Sequence, residues 1–156
     1  VDTGVDLMTF GGTKNGMMYG EAVVFLRPEL ATNARFVRKQ AGQLPSKMRY
    51  VAAQFEALLT DDLWLRNARH ANEMATRLAT AVERIPGVDL LGRPLVNGVF
   101  ARVPAAAVRP LQEWSFFWVW DAAESVVRWM CSFDTSPDDV DAFAAGVAEI
   151  VATATS

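Results

Sequence analysis

"MTFGGTKNGMMYGEAVVF", residues 8–25, is the stretch that decides how the chain is read. An apolar run enters a glycine-rich bend that carries Lys14, and a second, β-rich run leaves it. Gly4 to Phe10 reads as a short strand and Gly20 to Leu26 as its partner, so the bend predicts a hairpin-like pair. Between segments of buried character a lysine is costly unless its charge is paired or removed. Glycines on both sides permit unusual dihedrals and close approach of a ligand. An amine whose pKa such a site lowers is a nucleophile towards aldehydes. The plainer reading from spacing alone is a polar turn with Lys14 in solvent, because Asn-Gly is a common hairpin signal. The spacing of glycine, lysine and hydroxyl does not fit a nucleotide-binding P-loop.

The rest of the composition narrows the function classes. The chain has 156 residues, 51% apolar and 21% charged, enough for an ordinary core and unlike a disordered segment. A net charge of −3 gives no general attraction to nucleic acid or to an anionic membrane. No apolar run approaches the roughly 18 residues of a membrane span. The single cysteine, Cys131, cannot close an internal disulfide, which points to a reducing, cytoplasmic setting. The chain opens at Val1-Asp2 with no initiator Met, basic start or signal-like segment, and so reads as the inside of something longer.

Beyond the hairpin, Pro28 suits the first position of a polar helix running to about Gln40, stopped by Gly42 and Pro45. From Ser46 a second helix aligns Met48, Val51, Ala52, Phe55, Leu58 and Leu59. Thr60 with Asp61 and Asp62 reads as a cap and acidic first turn. Trp64, Ala68, Ala71, Ala75, Leu78, Val82 and Ile85 then recur in steps of four and three, ended by Pro86-Gly87. The texture next changes to short β-like pieces, 88–91, 96–103, 116–120 and 125–133, with a short helix near 105–112. Ser136-Pro137-Asp138-Asp139 comes close to a capping box, and the last helix buries Val140, Phe143, Ala144, Val147, Ile150 and Val151. The boundary falls near Thr60, giving residues 1–59 and an α+β unit at 60–156. Within that unit Arg128 stands in an otherwise apolar β-like run, at a strand edge or facing an anion. A guanidinium binds a carboxylate with two parallel hydrogen bonds, and an exposed ion pair is its plainer role.

The run Thr9-Phe10-Gly11-Gly12-Thr13-Lys14-Asn15-Gly16, with Gly20-Glu21-Ala22-Val23-Val24-Phe25, resembles the cofactor-lysine segment of the threonine aldolase and phenylserine aldolase family. The likeness extends through 38–42, 46–50, 63–72 and Val127-Arg128-Trp129-Met130-Cys131-Ser132-Phe133, and so over nearly the whole chain. That family belongs to the aspartate-aminotransferase-like pyridoxal phosphate enzymes of fold type I. The resemblance implies an α/β fold, the tail of a large cofactor domain at 1–59 followed by a small C-terminal α+β domain at 60–156. It implies that Lys14 carries the cofactor, with Thr13 beside it, and that Arg128 holds the α-carboxylate of the substrate. It also implies that Lys39 or Arg49, within the basic cluster Arg38, Lys39, Lys47 and Arg49, reaches the cofactor phosphate. A solvated helix face is the other reading of that cluster. The activity implied is carbon–carbon cleavage of β-hydroxy-α-amino acids such as L-threonine or phenylserine to glycine and an aldehyde.

The family's phosphate cradle, ring-stacking residue and ring-nitrogen aspartate lie upstream of the lysine. Only thirteen residues precede Lys14, and Asp2 and Asp6 are the only acids among them. About 180 to 200 further residues upstream are expected, and without them the chain is expected to bind pyridoxal phosphate poorly and to turn over little. A homo-oligomer, or pairing with the missing N-terminal portion, is expected to cover the apolar 8–25 face. Three rivals remain: another fold type I enzyme such as a β-eliminating lyase or aminotransferase, a non-catalytic oligomerisation module, and a free-standing α+β domain. His70 is expected to be exposed or capping, Cys131 to pack, and Trp114, Trp118, Trp120 and Trp129 to pack in the core.

Overall fold

The computed structural model describes residues 3–155, so Val1, Asp2 and Ser156 lie outside the described residues. Two compact units divide the chain, Val1–Leu65 and Arg66–Ser156, and each is taken by itself.

The first unit opens on the expected hairpin. Strands β1 (Leu7–Gly11) and β2 (Glu21–Phe25) pair antiparallel, in a register running from Leu7↔Phe25 to Gly11↔Glu21. A 3-10 turn, Thr13–Asn15, occupies the connection, and Gly16 follows it at φ 107°, a conformation glycine adopts without strain. The predicted polar helix is split. Pro28–Ala31 is a 3-10 turn with Pro28 in its first turn, and helix α1 begins only at Ala34 and ends at Gln40. Helix α2 (Met48–Leu59) turns Val51 and Leu58 inward, and Phe10 meets Phe55 and Trp64 with ring centroids 6.2 Å apart in both pairs.

Thr60 does not cap the helix that follows it. Its hydroxyl turns back and donates to the Glu56 carbonyl at 2.7 Å. Asp61 and Asp62 take left-handed backbone, φ 50° and 56°, so the two acids form a kink. Short side chains that bond locally make that conformation affordable for aspartate. Helix α3 (Leu63–Val82) starts beyond the kink.

The second unit is a four-stranded antiparallel sheet in the order β3-β4-β6-β5: β3 (Asp89–Leu90), β4 (Gly98–Arg102), β5 (Trp118–Asp121) and β6 (Val126–Met130). Val99 pairs with Trp129 and Ala101 with Val127, so these four share one face, and all four are buried. Against it pack α3, the short α4 (Ala105–Trp114) and α5 (Pro137–Ala154), contributing Leu78, Val82, Leu111, Val147 and Val151 to one cluster. Burying each such aliphatic side chain stabilises the fold by about 1.5–3 kcal/mol. Ser136 closes the expected capping box on α5: its hydroxyl accepts the Asp139 N–H at 3.1 Å, and Asp139 accepts the Ser136 N–H at 2.8 Å.

Among the described residues of this unit, no helix layer lies on the opposite face of the sheet, where Trp118 and Met130 are exposed. Phe100, Trp118, Arg128 and Met130 alternate onto it because side chains change face at each residue of a strand. Only Trp129 of the four tryptophans expected in the core is buried there; Trp114, Trp118 and Trp120 are exposed, the last two on this uncovered side. No helix among the described residues is long and apolar enough to cross a membrane.

Candidate functional site

Lys14 sits at the centre of the 3-10 turn, and its side chain is exposed. The turn around it is fixed. Asn15 and Met17 donate their backbone N–H groups to the Gly12 carbonyl at 2.9 and 3.0 Å, and Gly12 donates to the Gly20 carbonyl at 3.1 Å. The Asn15 amide donates to the Trp64 carbonyl at 3.0 Å, and the Met18 N–H to Gln54 Oε1 at 2.9 Å.

Met17 is the peg beneath the turn. It is buried, and a Cβ placed on Gly12 would stand 1.9 Å from its sulfur. A Cβ on Gly20 would stand 2.9 Å from its methyl group. Both glycines therefore serve close packing, which anchors the lysine from below while leaving its amine outside. The expectation of flanking buried strands is corrected here. Val5, Leu7, Met8 and Val23 are exposed, and because neighbouring strand residues alternate faces, the exposed apolar side chains lie on both sides of the hairpin. Among the described residues the Lys14 ammonium has no ion pair or side-chain hydrogen bond, so the amine is available for a covalent partner.

A groove of about 1190 Å³ in the same unit runs between β2, α1 and α2. Thr13 and Arg49 both line it, as do Arg35 and Arg38, while Lys14 and Lys39 do not. Arg49 lies over the Tyr50 ring at 4.9 Å and donates to its hydroxyl at 3.2 Å. Arg38 is engaged with the Gln43 carbonyl at 2.9 Å, and Lys39 projects exposed from the last turn of α1. Asp6 is bound to the hairpin mouth, 3.4 Å from Arg27, with its backbone carbonyl accepting from Leu26 and Arg27. It lies at the end of the strands remote from Lys14. Asp2 lies outside the described residues.

In the second unit Arg128 is the middle residue of β6, flanked in register by Phe100 on one side and Trp118 on the other. Its guanidinium carbon lies 5.4 Å from the Trp120 ring centroid. Its Nε is buried with no hydrogen-bond partner, and no carboxylate pairs with it among the described residues. The exposed ion pair that residue type alone favoured is therefore absent among the described residues. An orphaned guanidinium on an aromatic surface is suited to a planar anion supplied from outside.

The remaining candidates have structural roles. His70 is half-buried, with Nε2 2.7 Å from the Thr135 carbonyl, so this nitrogen carries the proton and caps a loop oxygen. Burial pushes the Cys131 thiol up to about 11, leaving it packed and protonated. No cluster of three or more metal-ligating side chains occurs among the described residues. Sequence reasoning passed over Met17, read Asn15 only as a hairpin signal, and expected Trp120 in the core, where the structure does not place it. A glycine on each side of one methionine, at 12 and 20, was the available signal for the first.

No protein-family model matches the chain. It is 45% identical over 139 residues to the low specificity L-threonine aldolase of Pseudomonas aeruginosa, covering 88% of this chain and 40% of that protein. It is 41% identical over 150 residues to the low specificity L-threonine aldolase of a Pseudomonas sp. strain, covering 95% and 43%. Its fold matches the threonine aldolase of Leishmania major with a TM-score of 0.81 at 28% identity, over 94% of this chain and 43% of that one. By sequence and by fold, the chain is similar over most of its length to threonine aldolases, and it spans about two fifths of the length of the relatives it matches.

Proposed function

We propose that the intact protein is a pyridoxal phosphate-dependent carbon–carbon lyase, and that this chain is its C-terminal portion. It cleaves β-hydroxy-α-amino acids, L-threonine or phenylserine among them, to glycine and an aldehyde. The observation that carries the reading is Lys14: an unengaged primary amine, exposed on a turn that Met17, Asn15 and two glycines hold rigid. Such an amine fits an aldehyde-bearing cofactor, and immobility beneath it limits the orientations that must be sorted on binding.

Lys14 holds the cofactor covalently through its ε-nitrogen. Thr13 at the head of the nearby groove and Arg49 along its wall contribute to holding the phosphate, with Lys39 as a further cation. Arg128 binds the substrate carboxylate with two parallel N–H···O bonds, for which its orphaned guanidinium is suited. Gripping the carboxylate fixes rotation about the Cα–N bond and so selects Cα–Cβ for cleavage. When bound, the pyridoxal ring supplies an electron sink for the pair left on Cα. A base contributed from outside this chain takes the β-hydroxyl proton as the carbonyl of the aldehyde forms, and Cα regains a proton to give glycine. The protein works in the cytoplasm as a homo-oligomer, a reading supported by its buried, unpaired cysteine and by the apolar faces that each unit leaves open. The 156 residues alone bind the cofactor weakly.

Borohydride reduction of the full-length enzyme followed by peptide mapping tests the assignment. A pyridoxyl group on Lys14 is expected, together with glycine and aldehyde as products. A label on another side chain, or none, refutes it, and products other than glycine with an aldehyde assign the protein to a different fold type I reaction.

A further inference from the structure

Strand β5 is irregular at one residue. Its register with β6 runs Trp118↔Arg128, then Val119↔Val127, then Asp121↔Val126, so Trp120 is an extra residue with no partner opposite it. A bulge of this kind re-aims a side chain and interrupts strand pairing locally. The re-aimed side chain here is an indole whose ring centroid lies 5.4 Å from the Arg128 guanidinium carbon, within cation–π reach. Phe100, which faces Arg128 across β4 and β6, meets the Trp120 ring edge-on at 5.1 Å and 78°. The two rings thus reach each other across β6, over the strand that carries Arg128.

We infer that Trp120 is a positioning residue: its indole, braced by Phe100, holds the Arg128 guanidinium in the orientation that presents its fork to the carboxylate of an α-amino acid. The inference rests on the carboxylate role proposed for Arg128. A two-point carboxylate contact requires the guanidinium plane to be set, and an arginine side chain with no ion pair has no other charged group to set it. The exposure of Trp120, 59%, excludes core packing as the reason for its placement.

The test uses the full-length enzyme and four variants: Trp120→Leu, Trp120→Phe, Arg128→Lys, and Trp120→Leu with Arg128→Lys. Two constants are read: KM for the β-hydroxy amino acid, and the dissociation constant of glycine, which carries the same carboxylate and is not cleaved. Trp120→Leu is expected to raise both by about 2- to 30-fold, the range that a cation–π contact supplies. kcat is expected to change by less than about 3-fold, because the carboxylate contact is made before and during the reaction alike. Trp120→Phe, which keeps a π face, should recover most of the loss. In the Arg128→Lys background the leucine variant should add less than about 2-fold. Unchanged constants in Trp120→Leu, or the same factor in both backgrounds, would overturn the role given to Trp120 while leaving Arg128 intact. Unchanged constants in Arg128→Lys alone would remove the carboxylate reading itself, and this inference with it.

Discussion

Replacing Gly12 with alanine tests how the lysine turn is held. The backbone at Gly12 is at φ −99°, ψ −15°, which alanine adopts without strain, so any effect is steric. The new methyl would stand 1.9 Å from the Met17 sulfur and 2.7 Å from its Cγ, against an ordinary contact of about 3.5–4 Å. The sulfur must retreat, and Gly20 limits where it can go, since a Cβ there would already stand 2.9 Å from the Met17 methyl. Over-packing of this kind costs about 1–3 kcal/mol. Met17→Ala removes the buried peg and is expected to cost about 2 kcal/mol or more. In the double variant the alanine methyl has room, so the combined loss should fall short of the sum by at least about 1 kcal/mol. Urea unfolding of the full-length protein, followed by far-UV circular dichroism, gives all three values. Additivity within about 0.5 kcal/mol would refute the claim that Met17 is wedged beneath the turn.

Two further outcomes concern the second unit. Ser136→Ala removes the acceptor of the Asp139 N–H and should lower stability by about 1 kcal/mol, with Ser136→Thr restoring most of it, as read from the unfolding midpoint. Arg77 grips Asp141 through Nε at 2.9 Å and through its second nitrogen at 2.6 Å, and this hydrogen bonding holds the Asp141 carboxyl below the usual carboxylate range. A folded-state pKa lowered in this way contributes stability that is complete above the unfolded value of 3.8 and is lost as pH falls through the folded one. The gap in midpoint between the wild type and Asp141→Asn should therefore close on acidification below pH 4, and a gap that stays constant would refute the pairing.

What could be read from the sequence was what short-range chemistry dictates. The capping box at 136–139 is two side chains bonding two nearby backbone groups, and the α3 stripe is a period of 3.6 sustained over five turns. Both survive any tertiary context, and both appear in the structure. The Thr60–Asp62 segment has the same residue types as a cap, yet a serine-like hydroxyl can bond backward as readily as forward, and it bonds to Glu56. Local chemistry offered both outcomes, so residue type alone did not choose between them. The tryptophans failed for a different reason. Alternation along a strand says which residues share a face, but not which face is covered. Trp129 and Trp118 carry the same hydropathy and differ only in parity relative to the helices.

The same distinction separates Lys14 and Arg128 from Trp120. Lysine in a glycine-rich bend and arginine in an apolar strand are each at odds with their surroundings, and a local rule broken without visible compensation marks a candidate site. Trp120 breaks no such rule: "WVWD" reads as a regular edge strand. Its displacement exists only in the pairing of β5 with β6, where two residues advance against one. A bulge is a property of two strands together, and so no scan along one of them could find it. Residues that hold a functional side chain in place are, on this argument, harder to read from sequence than the side chain they hold. The holder conforms to its own element's pattern, and only the register across the sheet reveals that it has been moved.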